Sequence, residues 1–504
     1  MIGRLFRITS ANRENDGDVK VGLRALLCDA VCSQLMDSLT GGAFLVAFAL
    51  LLGASNTVVG LLAAVSPLMQ LFQIPAVYLV ERSPSRKALV VRNSVLSRIS
   101  WLVIAVIPWL VAPEQRVHVL LMCLFLFFGL GTISACGYNP WIRDFVPQDI
   151  MGRFFGKSLA IATAAGAMMA LAAGACIEMG KSHVTSQFVP YSVLFLLGGL
   201  VGLSGVYFLS RVPEPSVRTR RTQGTFEALR QPFRDLNFRR LLIFLGILFF
   251  AMNVSGPFYV VYMLKRLELS MGLVIGLGVL SQIMSVMCFR IWGRAADNFS
   301  NKSVLIVSGY MYMIAVLLWP LLLISESYFF MIPLLVVVHV LTGISAAGVN
   351  LCTGNIALVA APHGQATGFL AVNTLVHGVA ASTAPILGGI IADRLTEQHL
   401  SVLTEWLSTN IGSFLVLPIS SLLGIHTLFF LTAIIGLYAM HRLRTFHEER
   451  EVEGKVVVAH LLAEARKAVR HISKVAGHRY LHIFPSATAE KTVSDRSRAH
   501  IGRQ

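Results

Sequence analysis

The feature that most limits what this 504-residue chain can become is a series of long apolar runs. Twelve of them, at 25–52, 57–80, 88–111, 117–138, 157–178, 188–209, 241–263, 271–292, 303–325, 330–352, 366–391 and 421–440, each reach the roughly 20 residues a helix needs to cross a bilayer. Hydrocarbon offers backbone N–H and C=O groups no partners, so runs of this length are helices; barrel strands would be about half as long and would alternate. Only 13% of the residues are charged, against roughly 25% in soluble domains. The expected fold class is an all-α integral membrane bundle of twelve transmembrane helices. The first run follows a polar N-terminal segment, 1–24, and is too long for a signal-peptide core, so it reads as a retained helix.

The formal net charge of +16 invites a nucleic-acid reading, which the placement of the charges argues against. When alternate loops are assigned to two sides, 37 of the 42 Lys and Arg fall on one side, in 1–24, 81–98, 141–157, 211–240, 290–302 and the tail from Arg442. Arg116, Lys181, Lys265, Arg266 and Arg394 make up the other side. The positive-inside rule then puts both termini in the cytoplasm, and a bacterial inner membrane is the expected location. The seven cysteines lie in or beside apolar spans without a CxxC pair and read as packing residues.

The chain also repeats itself. "ISACGYN" at 133–139 returns as "ISAAGVN" at 344–350, and "VVGLL" at 58–62 as "VIGLG" at 274–278. Glu81 and Asp297, Arg86 and Lys302, and Leu89 and Leu305 keep the same spacing, while Gly152 and Gly156 match Gly364 and Gly368. The matches stay in order, so a duplicated six-helix unit is the reading, with parallel halves at 25–210 and 241–441. The basic, Pro-containing stretch 211–240 between them reads as a cytoplasmic linker. Residues 442–504 read as a basic cytoplasmic tail, with an amphipathic helix within 447–475 and disorder beyond.

"VERSPSRK" at 80–87 and "GRAADNFSNK" at 293–302 resemble the signature loop of the major facilitator superfamily, and "APILGGIIAD" at 384–393 is similar to its Pro and paired-Gly helix segment. The resemblance implies two pseudo-symmetric six-helix bundles around a central cavity. It also implies a cytoplasmic gating motif: Glu81, Arg82, Arg86 and Lys87 in the first copy, with Gly293, Asp297 and Lys302 in the second. Val77 stands where Gly293 would align, and Glu81 replaces the usual Asp. An acidic group at a helix end, facing basic residues and helix dipoles, can hold helix ends together when the contact is partly buried.

Polar residues inside spans are expensive and need a reason. Asp37, in the first span, is either a proton-coupling carboxyl, since desolvation favours its neutral form, or the partner of Arg98. Arg98 either makes that pair, binds an anionic substrate or snorkels. Asp29 lies near enough the cytoplasmic end to be hydrated. Gln34, Gln70, Gln73, Asn253, Tyr259, Gln282, Asn350, Asn355, Asn373 and His377 are further cavity candidates, each equally readable as a packing contact. Gln70 and Gln73 share a face of a continuous helix, and Pro257 opens the seventh helix between Asn253 and Tyr259.

Enzyme chemistry finds no support in the motifs. "GRFFGKS" at 152–158 has too few residues between its glycines for a phosphate loop, and "HEERE" at 447–451 lacks the second His of a zinc protease. No cofactor or metal is expected. The expectation is a monomeric secondary transporter, in contact with lipid and with no nucleic acid. It moves a small-molecule substrate by alternating access, as a proton-coupled exporter of an amphipathic compound. The alternatives are an uptake permease for a polar metabolite or cell-wall fragment, and a non-transporting sensor.

Overall fold

The computed structural model describes residues 16–83, 85–180, 186–214, 225–323, 328–362, 366–394 and 425–448. The cytoplasmic-tail helix expected within 447–475 and most of the N-terminal segment lie outside the described residues. The first helix begins at Asp16, inside the segment expected to precede it. Crossing by crossing, the helices are α1 (Asp16–Thr40) with α2 (Gly42–Leu51), α3 (Asn56–Gln70) with α4 (Gln73–Arg82), α5 (Arg86–Leu110), α6 (Arg116–Phe145), α7 (Gln148–Gly180) and α8 (Val189–Leu209). A short connecting helix α9 (Thr225–Arg234) leads to the second set. This comprises α10 (Leu236–Ser255) with α11 (Phe258–Val261), α12 (Met271–Asn298), α13 (Asn301–Leu317), α14 (Tyr328–Val359), α15 (Ala366–Arg394) and α16 (Ile425–Leu443).

Among the described residues, eleven helical segments are long and apolar enough to span a bilayer. The remaining crossing is the broken pair α3 and α4. Pro75 explains the break: it has no N–H to offer the Leu71 carbonyl and its ring crowds that group, so the helix stops at Gln70 and restarts at Gln73. The expected single helix with Gln70 and Gln73 on one face is therefore corrected to two helices meeting at a turn. Pro257 does the same to the seventh crossing, where α10 ends at Ser255 and a π turn runs over Tyr262–Arg266. Part of the expected linker is itself helical, and the seventh crossing starts at Leu236, where Asp235 caps the Phe238 N–H at 2.8 Å.

The two sets pack alike. In the first, α1 lies on α7 and α8, α5 on α6 and α8, and α3 and α4 on α6. In the second, α10 lies on α15 and α16, α13 on α14 and α16, and α12 on α14. Each of these principal contacts of one half thus has its counterpart in the other, as a duplicated unit requires.

The basic loops, whose described connecting residues are 83, 85, 146, 212–214, 300 and 446–448, alternate with the other connections along the chain and so share one end of the bundle, where Ser85 and Arg86 meet Glu214 and Asn301 and Lys302 meet Glu448. The main contacts between the halves lie toward the other end: α3 on α15, α7 on α12, and α2 on α11 and α12. Small residues permit them. A methyl group on Gly60 would run into the Pro385 carbonyl, and one on Gly389 into the Asn56 carbonyl. The α4 helix, at the basic end of its crossing, has its main packing within its own half on α6. The halves are closed against each other at the end opposite the basic loops.

Candidate functional site

Two buried, opposite charges form a polar knot in the first half. Arg98 of α5 and Asp29 of α1 are both buried, with guanidinium and carboxylate 3.5 Å apart. Arg98 also donates to Ser33 Oγ at 2.9 Å and to the Gly202 carbonyl of α8. A side chain at Gly205 would crowd both ions, so glycine there lets α8 close over the pair. This corrects two expectations. Asp29 is not hydrated, because α1 starts at Asp16, nine residues before the apolar run, and Asp29 lies well along it. Arg98 neither snorkels nor pairs with Asp37; its donors are spent joining α1, α5 and α8.

Asp37 is left with a different role. Met36 and Thr40 of α1 face Gly198 of α8, while Gln34 and Ser38 face Gly166 of α7. Asp37 projects between those two stripes. Protein surrounds it on most sides, yet it keeps accessible surface, the combination expected of a group on an open internal cavity. Arg98 acts on it through space only. Among the described residues its carboxylate has neither a hydrogen-bond donor nor an ion-pair partner.

The other candidates divide. Gln70, Gln73, Gln282, Asn350 and Asn355 are accessible, and Gln34 is partly so. Asn253 turns its amide back to the Phe249 carbonyl of its own helix at 2.8 Å. Tyr259 accepts from Ser255 at 2.8 Å and stacks on both Trp319 and Phe429 in an aromatic cluster of the second half, where it is half-buried. His377 meets Phe249 edge to face at 4.2 Å, and four residues earlier on α15 the buried Oδ1 of Asn373 finds no donor among the described residues. The sequence-derived set is thus dispersed, with Asp37, Gln34 and the accessible amides as its polar, reachable members.

At the basic end the two signature loops are held by acids the loops do not contain. Glu214, just beyond α8, accepts from Ser85 Oγ at 2.6 Å and from the Arg86 and Lys87 N–H groups at 2.8 and 3.3 Å, capping α5. Glu448, just beyond α16, accepts from the Asn301 and Lys302 N–H groups at 3.3 and 2.7 Å, capping α13. The segments carrying them are pinned as well: Trp141 donates to the Pro213 carbonyl and Lys302 Nζ to that of Phe446. Slight burial pushes the Glu214 carboxyl up, but its bonds to Ser85, Lys87 and Arg86 outweigh this and hold it below the usual range. Arg86 reaches Asp144 at 3.2 Å. A cavity of about 900 Å³ opens beside that pair, lined by Asn139 and Arg143 among others. Of the expected gating residues, Asp297 and Arg82 are exposed, Gly293 is half-buried, and the Glu81 side chain lies outside what is described.

Two repeated halves that pack alike and meet at one end raise a specific family expectation, and the profile of the Major Facilitator Superfamily matches residues 27–385. The chain belongs to the major facilitator superfamily. Solved facilitator structures superimpose along most of this one. The nucleoside transporter NupG is 14% identical, with 85% of this chain and 98% of that one covered at a TM-score of 0.63. A bacterial homologue of the human lysosomal transporter Spinster, inward-facing and unoccupied, is 15% identical and covers 88% and 100% at 0.60. A D-xylose-proton symporter is 14% identical and covers 86% and 98% at 0.59. No match to a curated protein sequence was found. At these identities the structural likeness carries the facilitator fold and nothing about substrate.

Three carboxylates of this facilitator chain escaped the sequence reading: Glu214, Glu448 and Asp393. All sit in stretches the sequence makes conspicuous for other reasons. The available signal was positional, since Glu214 in "VPE" and Glu448 in "FHE" each follow a buried apolar residue, Val212 or Phe446, shortly after the last helix of a half.

Proposed function

We propose that this facilitator chain is a proton-coupled secondary transporter that exports a small amphipathic solute by alternating access. It would reside in a bacterial inner membrane with the basic loops and both termini in the cytoplasm, as charge placement supports. The observation that carries the reading is Asp37: a carboxyl in the middle of a span, accessible, with no bonded partner among the described residues, while Arg98, the cation that acts on it through space, is committed to Asp29. Such a group can change its proton occupancy without breaking a structural pair. Gln34 and the accessible amides of α3, α4, α12 and α14 supply neutral donors and acceptors for a solute, in keeping with small-molecule binding in this superfamily.

The test is solute flux in proteoliposomes under an imposed pH gradient, with candidate solutes first screened by thermal shift in detergent. Uphill flux driven by the gradient is expected, and Asp37→Asn abolishes it while solute exchange persists. Unchanged uphill flux in that variant removes Asp37 from coupling. Solute moving with protons rather than against them turns the direction to uptake.

A further inference from the structure

Asp393 lies in the last turn of α15, where the carbonyl end of the helix dipole makes a carboxylate unfavourable. Its surroundings explain it. Across the seam between the halves, its Oδ1 accepts from the Asn56 N–H at 2.9 Å, and its Oδ2 accepts from the Thr57 N–H at 2.7 Å and the Thr57 hydroxyl at 2.6 Å. Those amides open α3. The local cap, Ser55, serves only the Val58 N–H, at 3.3 Å, so the remaining first-turn donors depend on a residue more than three hundred positions away. The acid at the wrong end of its own helix stands at the right end of another. Gly389, one turn back on α15, makes the approach possible, because a side chain there would strike the backbone of Asn56 and Thr57.

We propose that Asp393 is the latch of the gate opposite the basic loops: its carboxylate caps α3 only while that end is shut, and so favours the state open toward the basic loops. When the halves part at this end, Asn56 and Thr57 lose their acceptor and must be resolvated. The bond therefore discriminates between the two states of the cycle, which is the condition for a contact to shift their populations. The proposal rests on the alternating opening inferred above, and is independent of Asp37 and of proton coupling.

The test uses the full chain in lipid nanodiscs, with its native cysteines replaced and spin labels at two pairs of exposed positions. Glu114 with Lys265 reports the latched end, and Arg143 with Arg444 reports the basic end. No substrate or gradient is needed, so failure of the coupling reading leaves this measurement intact. Asp393→Ala is expected to shift the populations roughly five-fold, the ordinary effect of losing a cap, lengthening the first distance and shortening the second. Asp393→Asn, which keeps one acceptor oxygen but turns an NH2 toward the other donor, falls between the parent and Asp393→Ala, and Thr57→Val also shifts the distribution part-way. If Asp393→Ala does not fold, Thr57→Val carries the test alone. Unchanged distributions overturn the proposal, as does loosening at the latched end without a matching closure at the other, which marks a local cap with no hold on the cycle.

Discussion

Arg98 and Asp37 show how neighbouring charges in one bundle take opposite parts. Buried against Asp29, Arg98 supplies the opposite charge to a carboxylate whose other contact is the neutral Ser33 hydroxyl at 3.5 Å. Arg98→Ala is therefore expected to lower stability by about 3–5 kcal/mol, because it strands a buried carboxylate. Pairing it with Asp29→Asn recovers much of that loss, and thermal unfolding in detergent measures both. Asp37→Asn, by contrast, is expected to leave the melting temperature nearly unchanged while abolishing gradient-driven flux. This contrast was only half legible in the sequence. Both acids and the arginine stood out as polar residues in apolar runs. Which acid the arginine chose depended on where α1 begins and on how closely Gly202 and Gly205 let α8 approach, and neither shows in the run of hydropathy.

At the scale of helices, lipid imposes the length and forbids unpaired backbone, so the order of the crossings was readable, while their ends, set by polar turns that extend the helices beyond the apolar run, missed by up to nine residues, as at Asp16 and Gln148. Pro257 announced its break. Pro75 did not, because the apolar run continues through it. Replacing Pro75 with Ala is expected to restore an N–H bond to the Leu71 carbonyl and fuse α3 with α4, seen as slower amide exchange across residues 71–76. The caps from Glu214 and Glu448 were invisible as such, since a carboxylate's partner in space is set by folding. Glu214→Ala should cost about 0.5–2 kcal/mol, as other caps do. Its carboxyl is held below the usual range. The contribution is therefore complete above the ordinary glutamate value of about 4.3 and is lost as pH falls through the lower folded value. The difference in melting temperature from the parent should be flat at neutral pH and vanish only in strong acid.

Across the whole molecule, the repeat foretold the architecture because duplicated sequence builds duplicated contacts. Each half is riveted at its basic end by its own terminal glutamate, so the halves are expected to move as bodies. Label pairs within a half should keep their distances when a gradient is applied, while pairs spanning the seam change.

The seam is not symmetric. One flank, α3 against α15, is fastened by a charged clasp of three short bonds. The other, α7 against α12, is a smaller contact in which Gly174 meets Gly272 and Ile275. Interfaces fail where they are weakest. Separation is therefore expected to begin at the α7 flank and swing about the α15 flank, so that the first breach is a one-sided slit that widens only after the clasp lets go.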